Sequence, residues 1–488
     1  MRILQVSAEI FPLLKTGGLA DVAGALPLAL LAAGQDVRAL LPGFPAIAAG
    51  VRDAQTVAEF AAPWGERVGL CLGRIATAGA PDIPVYWIDA PALYDRPGNP
   101  YEDGSRHAYG DNHRRFALLG WAAARLAQGL DPDWQPELVH AHDWHAALAP
   151  AYLAFAPRRE GGPRVASVFT IHNLAYQGLF HPRHFGELAL PPAAFGMHGL
   201  EYHGQLSFMK GGLVFADRLT TVSPAYAREI QTPEQGFGLD GLLRHRQDVL
   251  TGVLNAVDDQ VWNPAIDGLL PERYDLRAMG GKSHCKAALQ EELGLAADAN
   301  APLFVVVSRL TEQKGLHLVL EGLDALLAQG GQLAVLGSGD AALEAAFRER
   351  AARAPSAVSV TLGYSEPLAH CLFGGGDVTL VPSRYEPCGL TQMYGLKYGS
   401  LPLVHRVGGL ADTVVDSTLE DLDSGAANGF CFDDFSGAAY ERAQRRAFAL
   451  YRRSADWRAV RANAMRRPSD WATAASRYLA VYRQALSS

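Results

Sequence analysis

Short apolar runs of strand length alternate with segments of helical period along most of the chain. Arg2–Ala8 is the first run, followed by a glycine-bearing loop, a helical pattern over Asp21–Ala33, a stop at Gly34 and a second apolar run, Val37–Leu41. This is a β-loop-α-β unit, the opening of a doubly wound parallel sheet. Pro27 falls inside the helical stretch, so the pattern predicts either a kink there or a later start. Further strands are predicted at Pro84–Ile88, Glu137–Ala141, Val165–Thr170 and Arg218–Val222.

The pattern resets near Val249–Val257, and Asp258–Tyr274 reads as a Pro-rich connection. A second series follows: strand Leu303–Val307, helix Gly315–Leu327, strand Gln332–Leu336, helix Ala341–Arg353, strands Val358–Leu362 and Val378–Val381, helix Gly389–Tyr398 and strand Leu401–Val404. Two consecutive β/α series predict an α/β protein of two Rossmann-like domains facing across a cleft. Ligands of open parallel sheets lie beyond the carboxyl ends of the strands, so chemistry is sought just after each strand.

Composition narrows the classes. At 488 residues the chain exceeds what one core usually organises. A formal net charge of −8 argues against a general nucleic-acid binder. Five scattered cysteines without a CxxC pair suit a reducing compartment rather than a disulfide framework or zinc site. Glu9 and Lys15 interrupt the apolar N-terminus, so it does not read as a signal peptide, and no apolar run is long enough for a membrane span. The expectation is a cytoplasmic protein.

Several strand ends carry candidate chemistry. After Ser7-Ala8-Glu9 comes Lys15-Thr16-Gly17-Gly18. Adjacent glycines let backbone N–H groups approach an anion, the next helix start adds partial positive charge, and Lys15 adds a full one. The segment reads equally as a pyrophosphate cradle or as a surface turn with a solvated lysine. His140-Ala-His142-Asp143-Trp144-His145 follows the Glu137–Ala141 run. HxH at a strand end suits a metal, but a dinuclear hydrolase needs further ligands that no later strand supplies, so hydrogen-bonded packing is favoured. His172 and Asn173 sit at the same rim, where a histidine serves a sugar hydroxyl or merely packs. Met209-Lys210-Gly211-Gly212 reads without preference as structural or acceptor-facing.

In the second series, Arg309 and Lys314 lie five apart in a loop before a helix, a good fit to a diphosphate leaving group. Gly337-Ser338-Gly339-Asp340-Ala341-Ala342 nearly matches a dinucleotide fingerprint, yet the following strand ends in Leu362-Gly363-Tyr364, without the acid that fingerprint needs. Tyr364 is instead placed to stack on a base. The most informative block is Pro382-Ser383-Arg384-Tyr385-Glu386-Pro387-Cys388-Gly389-Leu390-Thr391. A strand delivers a carboxylate, and the backbone N–H groups of Cys388 through Thr391 aim at hydroxyl or phosphate oxygens.

Together, KTGGLADVAGALP, GNPYEDG, HAHDWHA, FTIHNLAYQG, FMKGG, VSRLTEQKG and PSRYEPCGLTQMYGLKYGSLPLVHRVGGLADTV resemble the bacterial glycogen synthase and starch synthase family, from Lys15 to about Val415 and in the family's order. The resemblance implies a GT-B fold with domains at 1–245 and 246–469. A C-terminal segment, 470–488, would carry a helix over Asp470–Leu486 that packs back on the first domain. It implies transfer of glucose from ADP-glucose to the non-reducing end of an α-1,4-glucan (glycogen) primer, with retention. No cofactor, metal, nucleic-acid or membrane partner is expected, and UDP-glucose is the rival donor. By resemblance, Lys15, Gly17, Gly18, Arg309 and Lys314 face the donor phosphates, and Tyr364 lies near the adenine. His172, Asn255, Glu386, Cys388 and Gly389 hold the glucose, flanked by Leu390 and Thr391, while Asp143 and Asn173 line the cleft. The implied catalytic set is Glu386, His172, Arg309, Lys314 and Asp143.

Two departures stand out. Ala256 replaces the Gly of an expected Asn-Gly-Val-Asp, and Tyr394 takes the place of the second acid in the broader Glu-x7-Glu pattern. No carboxylate pair for double displacement is evident. The expected route is therefore front-face transfer, with Glu386 positioning the sugar and the departing phosphate taking the acceptor proton.

Overall fold

The computed structural model describes residues 1–77, 81–157 and 164–487. The chain divides into two compact units, Met1–Leu254 with Trp471–Ser488, and Asn255–Asp470. Each is built on its own sheet.

Across the first unit's nine-stranded sheet the order is Leu250–Gly252, Arg218–Thr221, Ala166–Ile171, Leu138–His142, Arg2–Val6, Asp36–Pro42, Ile83–Asp89, Arg67–Ile75 and Arg52–Ala61. Strands from Leu250–Gly252 through Ile83–Asp89 are parallel, and the last two join antiparallel. Arg2–Val6 has its successor in sequence on one side and Leu138–His142 on the other, so the winding reverses there. That reversal opens a crevice at the carboxyl ends of these two strands.

The second unit's six-stranded sheet is wholly parallel, in the order Val358–Leu362, Gln332–Gly337, Leu303–Val307, Val378–Val381, Leu401–His405 and Phe430–Phe432. Its winding reverses between Leu303–Val307 and Val378–Val381. The loops that follow these strands carry Arg309 and Lys314 on one side and Glu386 on the other.

The predicted strands recur within one or two residues and the helix Ala341–Arg353 recurs as predicted. The predicted helix Gly315–Leu327 is instead two short helices, Leu316–Glu321 and Leu323–Ala328, parted at Gly322, and other elements need correction. The first helix spans Gly18–Ala32 and runs through Pro27. It begins earlier than predicted, because Val22, Leu26 and Leu30 pack in the core with Ile3 and Leu138 and hold a helix that Pro27 deprives of one hydrogen bond. The predicted helix Gly389–Tyr398 is Thr391–Tyr398, since Gly389 has φ +70°, outside the helical region. The first unit extends past residue 245 because Leu250–Gly252 pairs with Arg218–Thr221.

The stretch over Asp258–Tyr274 is anchored rather than loose. Asp267 accepts from Tyr398 Oη at 2.6 Å and lies 2.7 Å from His370 Nδ1, while Trp262 stacks on His370 and Tyr394. Features without a counterpart in the sequence pattern include the antiparallel pair Arg52–Ala61 and Arg67–Ile75, the strand Phe430–Phe432, and the helices Asn112–Ala127, Gly280–Glu292, Glu366–Gly375, Gly437–Tyr451 and Ser454–Arg466. The terminal helix, Trp471–Leu486, buries Tyr478, Leu479 and Tyr482 against Ile3, Val22, Leu138 and Val168. Ser488 of the 470–488 segment lies outside the described residues.

Candidate active site

In the second unit, three loops converge past the switch strands. Lys314 Nζ donates to Glu386 Oε2 at 2.6 Å, and Ser383 Oγ donates to the same oxygen at 2.8 Å. Glu386 Oε1 takes no hydrogen bond from any described residue, and that oxygen is the one left for a ligand. Resemblance gave Lys314 to the diphosphate and Glu386 to the glucose; the structure bonds the two to each other. An ammonium has three donors, so one can hold Glu386 while another faces a phosphate. The Arg309 side chain is exposed and makes no ion pair or hydrogen bond among the described residues.

The main chain around Glu386 is held by close glycine contacts. The N–H of Gly409 donates to the carbonyls of Glu386 and Pro387, both at 3.1 Å. A Cβ on Gly409 would lie 2.0 Å from the Cys388 carbonyl oxygen, and one on Gly315 would lie 2.0 Å from that of Pro382. The left-handed turn at Gly389 presents the N–H groups of Cys388, Gly389, Leu390 and Thr391, none of which donates to a described residue. Gln392 Nε2 instead clamps the carbonyls of Cys388 and Gly389 at 2.9 and 2.7 Å. Unpaired amides ahead of a helix are a site for phosphate or hydroxyl oxygens.

Polar atoms here are buried yet unpaired: Asn255 Oδ1, Thr311 Oγ1 and Gln392 Oε1. Buried polar atoms are normally satisfied, so this group of atoms is available to hydrogen-bond a ligand. Burial pushes the Cys388 thiol up to about 12, so it is a neutral contact and not a nucleophile. Ala256 does not adopt a left-handed conformation, so the residue that departs from the family pattern carries no backbone strain. The Tyr364 ring is 64% exposed, its hydroxyl on Glu366. The near-fingerprint at Gly337–Ala342 is closed on itself: Gly339 N–H donates to Glu344, and Asp340 caps the helix that follows.

In the first unit, Glu9 is buried at the switch point and accepts from Thr16 N–H and Oγ1, both at 2.5 Å, and from Tyr101 Oη. This carboxylate fixes the loop that presents Gly17 and Gly18, whose N–H groups donate to no described residue. Lys15 Nζ is paired with Asp21 at 2.7 Å, so it is not simply solvated, and its other donors are the ones an anion could take. Asp143 is buried at φ +60° and accepts from Trp144 N–H. Burial, with a smaller contribution from the nearby Glu9, raises its carboxyl to about 8.

His140 and His142 of HAHDWHA are hydrogen-bonded, whereas His145 stacks on Tyr101 with its Nδ1 unpaired among the described residues. His140 lies between Tyr482 and Thr170, and His142 between His172 and Gln5. Burial depresses the rings of His140, His145 and His172 to about 3 and holds that of His142 well below the usual imidazole range. Among the described residues, the group with metal-type geometry is His113, His184 and Glu187, where Glu187 already bonds both histidines and Arg114. Lys210 is structural: its ammonium holds the carbonyls of Met197 and Glu201. Ser383, Thr311, Gln392, Glu9 and Tyr101 were not singled out from sequence. Tyr101, Thr311, Ser383 and Gln392 lie inside GNPYEDG, VSRLTEQKG and PSRYEPCGLTQ, a signal that would have found them; Glu9 lies outside these blocks.

Residues 2–245 match the model for the starch synthase catalytic domain, and residues 292–459 that for group 1 glycosyl transferases. The chain is 75% identical to the glycogen synthase of Variovorax paradoxus, over 100% of this chain and 99% of that one. It is 59% identical to the glycogen synthase of Leptothrix cholodnii, over 99% of each. The catalytic domain of starch synthase IV from Arabidopsis thaliana, solved bound to ADP and acarbose, is similar in structure with a TM-score of 0.90 and 29% identity, over 100% of this chain and 99% of that one. Sucrose-phosphate synthase from Thermosynechococcus elongatus shares the fold, with a TM-score of 0.59 and 16% identity, covering 99% of this chain and 98% of that one.

Proposed function

The chain belongs to the glycogen synthase and starch synthase family of GT-B glucosyltransferases, and from that premise we propose that it lengthens an α-1,4-glucan from ADP-glucose, with retention and without a metal. The observation that carries the reading is the cluster at the second switch point: Glu386 with one oxygen held and the other open, a cation on the held side, and four unpaired amides beside them. The ADP in the starch synthase IV relative supports an adenine nucleotide, and its acarbose supports a glucan-like acceptor.

The chemistry asked of this chain's groups follows from charge. As the C1–O bond to the diphosphate lengthens, negative charge grows on phosphate and positive charge on the sugar. Arg309 and Lys314 stabilise the first, and removal of one such donor typically costs about 10²–10³ in turnover. The amides of Cys388 through Thr391 add fixed dipoles. Lys15 and the Gly17 and Gly18 amides offer similar chemistry on the first unit. Glu386 Oε1 accepts from a glucose hydroxyl and orients the ring, while the His172 backbone carbonyl stabilises the sugar cation. The departing phosphate takes the proton of the acceptor 4-OH, so the new bond forms on the face the leaving group vacates. Asp143, kept protonated to about pH 8, offers a neutral donor rather than a second nucleophile.

No helix among the described residues is long and apolar enough to cross a membrane; a cytoplasmic location is part of the proposal. The test is incorporation of label from ADP-glucose or UDP-glucose into glycogen primer, with and without EDTA. EDTA-insensitive incorporation favouring ADP-glucose is expected. Preference for UDP-glucose would overturn the donor assignment, and chelator sensitivity would overturn the metal-free route.

A further inference from the structure

The His172 ring ends a chain of buried hydrogen bonds that begins outside the catalytic loops. Its Nε2 lies 3.0 Å from His142 Nδ1, and His142 Nε2 lies 2.7 Å from Gln5 Oε1. Gln5 Nε2 donates to Tyr482 Oη at 3.0 Å, a contact between residues 477 apart in the chain. Tyr482 Oη lies 2.7 Å from His140 Nδ1, His140 Nε2 lies 2.6 Å from Thr170 Oγ1, and Thr170 Oγ1 lies 2.5 Å from Thr220 Oγ1. Gln5, His140, His142, Thr170, Thr220 and Tyr482 are all buried.

The direction of every bond follows from one amide. A carbonyl oxygen only accepts, so His142 Nε2 carries the hydrogen that Gln5 Oε1 receives. Burial keeps these rings neutral, so His142 Nδ1 is bare and accepts from His172 Nε2–H. His172, neutral in turn, has a bare Nδ1 that accepts nothing from any described residue. On the other side, the Gln5 amino group occupies a lone pair of Tyr482, whose O–H then donates to His140 Nδ1. His140 Nε2–H donates to Thr170, and Thr170 to Thr220. All six bonds run the same way, and no buried donor or acceptor along the chain is spent twice.

We infer that Tyr482, on the terminal helix, is a positioning residue for His172: through Gln5 and His142 it fixes a single imidazole tautomer and offers the bare Nδ1 as acceptor to a sugar hydroxyl. The inference rests on the reading that His172 faces the transferred glucose. It gives the terminal helix a part in catalysis besides closing the first unit's core. Reversing the Gln5 amide would reverse every donor in the chain and present an N–H to the sugar, so tautomer and function are tied.

The test uses the full chain labelled with ¹⁵N in its histidine rings, with signals assigned through His142→Gln and His172→Gln. Long-range ¹H–¹⁵N spectra of wild type should show Nε2 protonated and Nδ1 bare in both residues. Tyr482→Phe, which keeps the ring packing, should mix the tautomers at His172 and lower kcat about tenfold while KM for the donor stays within twofold. Gln5→Met should do the same, and it carries the test if Tyr482→Phe does not fold. A protonated Nδ1 at His172 in wild type overturns the inference. So does a variant with kcat within twofold of wild type, or one whose kcat falls while the His172 signature is unchanged. A wild-type protein that transfers no glucose defeats the functional reading, while the nitrogen signature is still read independently.

Discussion

Gly409→Ala tests the site without removing a single functional atom. The added methyl would sit 2.0 Å from the Cys388 carbonyl oxygen and 2.5 Å from both its carbonyl carbon and Cα. Real Cβ atoms do not approach heavy atoms closer than 3.0 Å, so the Cys388 main chain must retreat by about 1 Å. Gly409 is not in a left-handed conformation, so alanine meets no backbone penalty of its own. The retreat carries the Cys388–Thr391 amides with it and strains the two bonds from Gly409 N–H that hold Glu386 and Pro387. Overpacking of this kind costs about 1–3 kcal/mol of stability, which is tolerable in a chain this long. A displacement near 1 Å in a positioning segment costs about 10²-fold in rate. The expected outcome is therefore a folded protein, with its melting temperature lowered by a few degrees at most, whose glucosyl transfer to glycogen falls about a hundredfold. Gly186→Ala, where nothing lies within 4 Å of the new methyl, is the control. Transfer by Gly409→Ala within threefold of wild type would refute the claim that the position of this segment sets the rate.

Arg309→Ala and Lys314→Ala should each lower kcat by about 10²–10³, and near-normal turnover in either would remove the diphosphate assignment. Lys314→Ala should also lower the melting temperature, because it leaves the Glu386 carboxylate, 9% exposed, without its cation. Asp143→Asn should flatten the loss of stability between pH 5 and 8. The folded carboxyl titrates near 8 and the unfolded one near 4, so the native state keeps a proton the unfolded state has released. Stability therefore falls as pH rises through this window, by at most ~5 kcal/mol in total. Melting curves from pH 5 to 9 that remain parallel for both proteins would contradict this. Lys286→Met should destabilise by about 3–5 kcal/mol, since it strands Asp377, which is 8% exposed and 2.7 Å from Lys286 Nζ; denaturant melts measure it.

The fold was legible wherever a strand is buried on both faces, because such strands read as continuous apolar runs. Leu303–Val307 and Val378–Val381 are of this kind. The hairpin Arg52–Ala61 and Arg67–Ile75 was not, for the opposite reason. Its edge strand is exposed along most of its length and its pairing slips at Gln55 and Ala58, so no clean alternation survives. The helix Asn112–Ala127 escaped because nearly all its residues are buried, which erases the polar stripe by which a surface helix is recognised. Pro27 misled because helix propensity is a weak prior against core packing.

The site was legible one partner at a time. Strand ends place Arg309, Lys314 and Glu386 at the second switch point, Asp143 at the first and His172 one strand along from it, because winding order alone decides where a crevice opens. What the sequence does not state is who meets whom. Lys314 and Glu386 are 72 residues apart, and nothing in either loop foretells that the cation proposed for phosphate already holds the carboxylate proposed for sugar. The same gap explains the histidines. HxH at a strand end is chemically the same whether the rings converge on a metal or turn to Thr170, Gln5 and Tyr482. The choice is made by the residues that lie across from them, one of which arrives from the other end of the chain. Periodicity therefore finds the rim of a site, while its protonation states and hydrogen-bond directions belong to contacts between residues far apart in sequence.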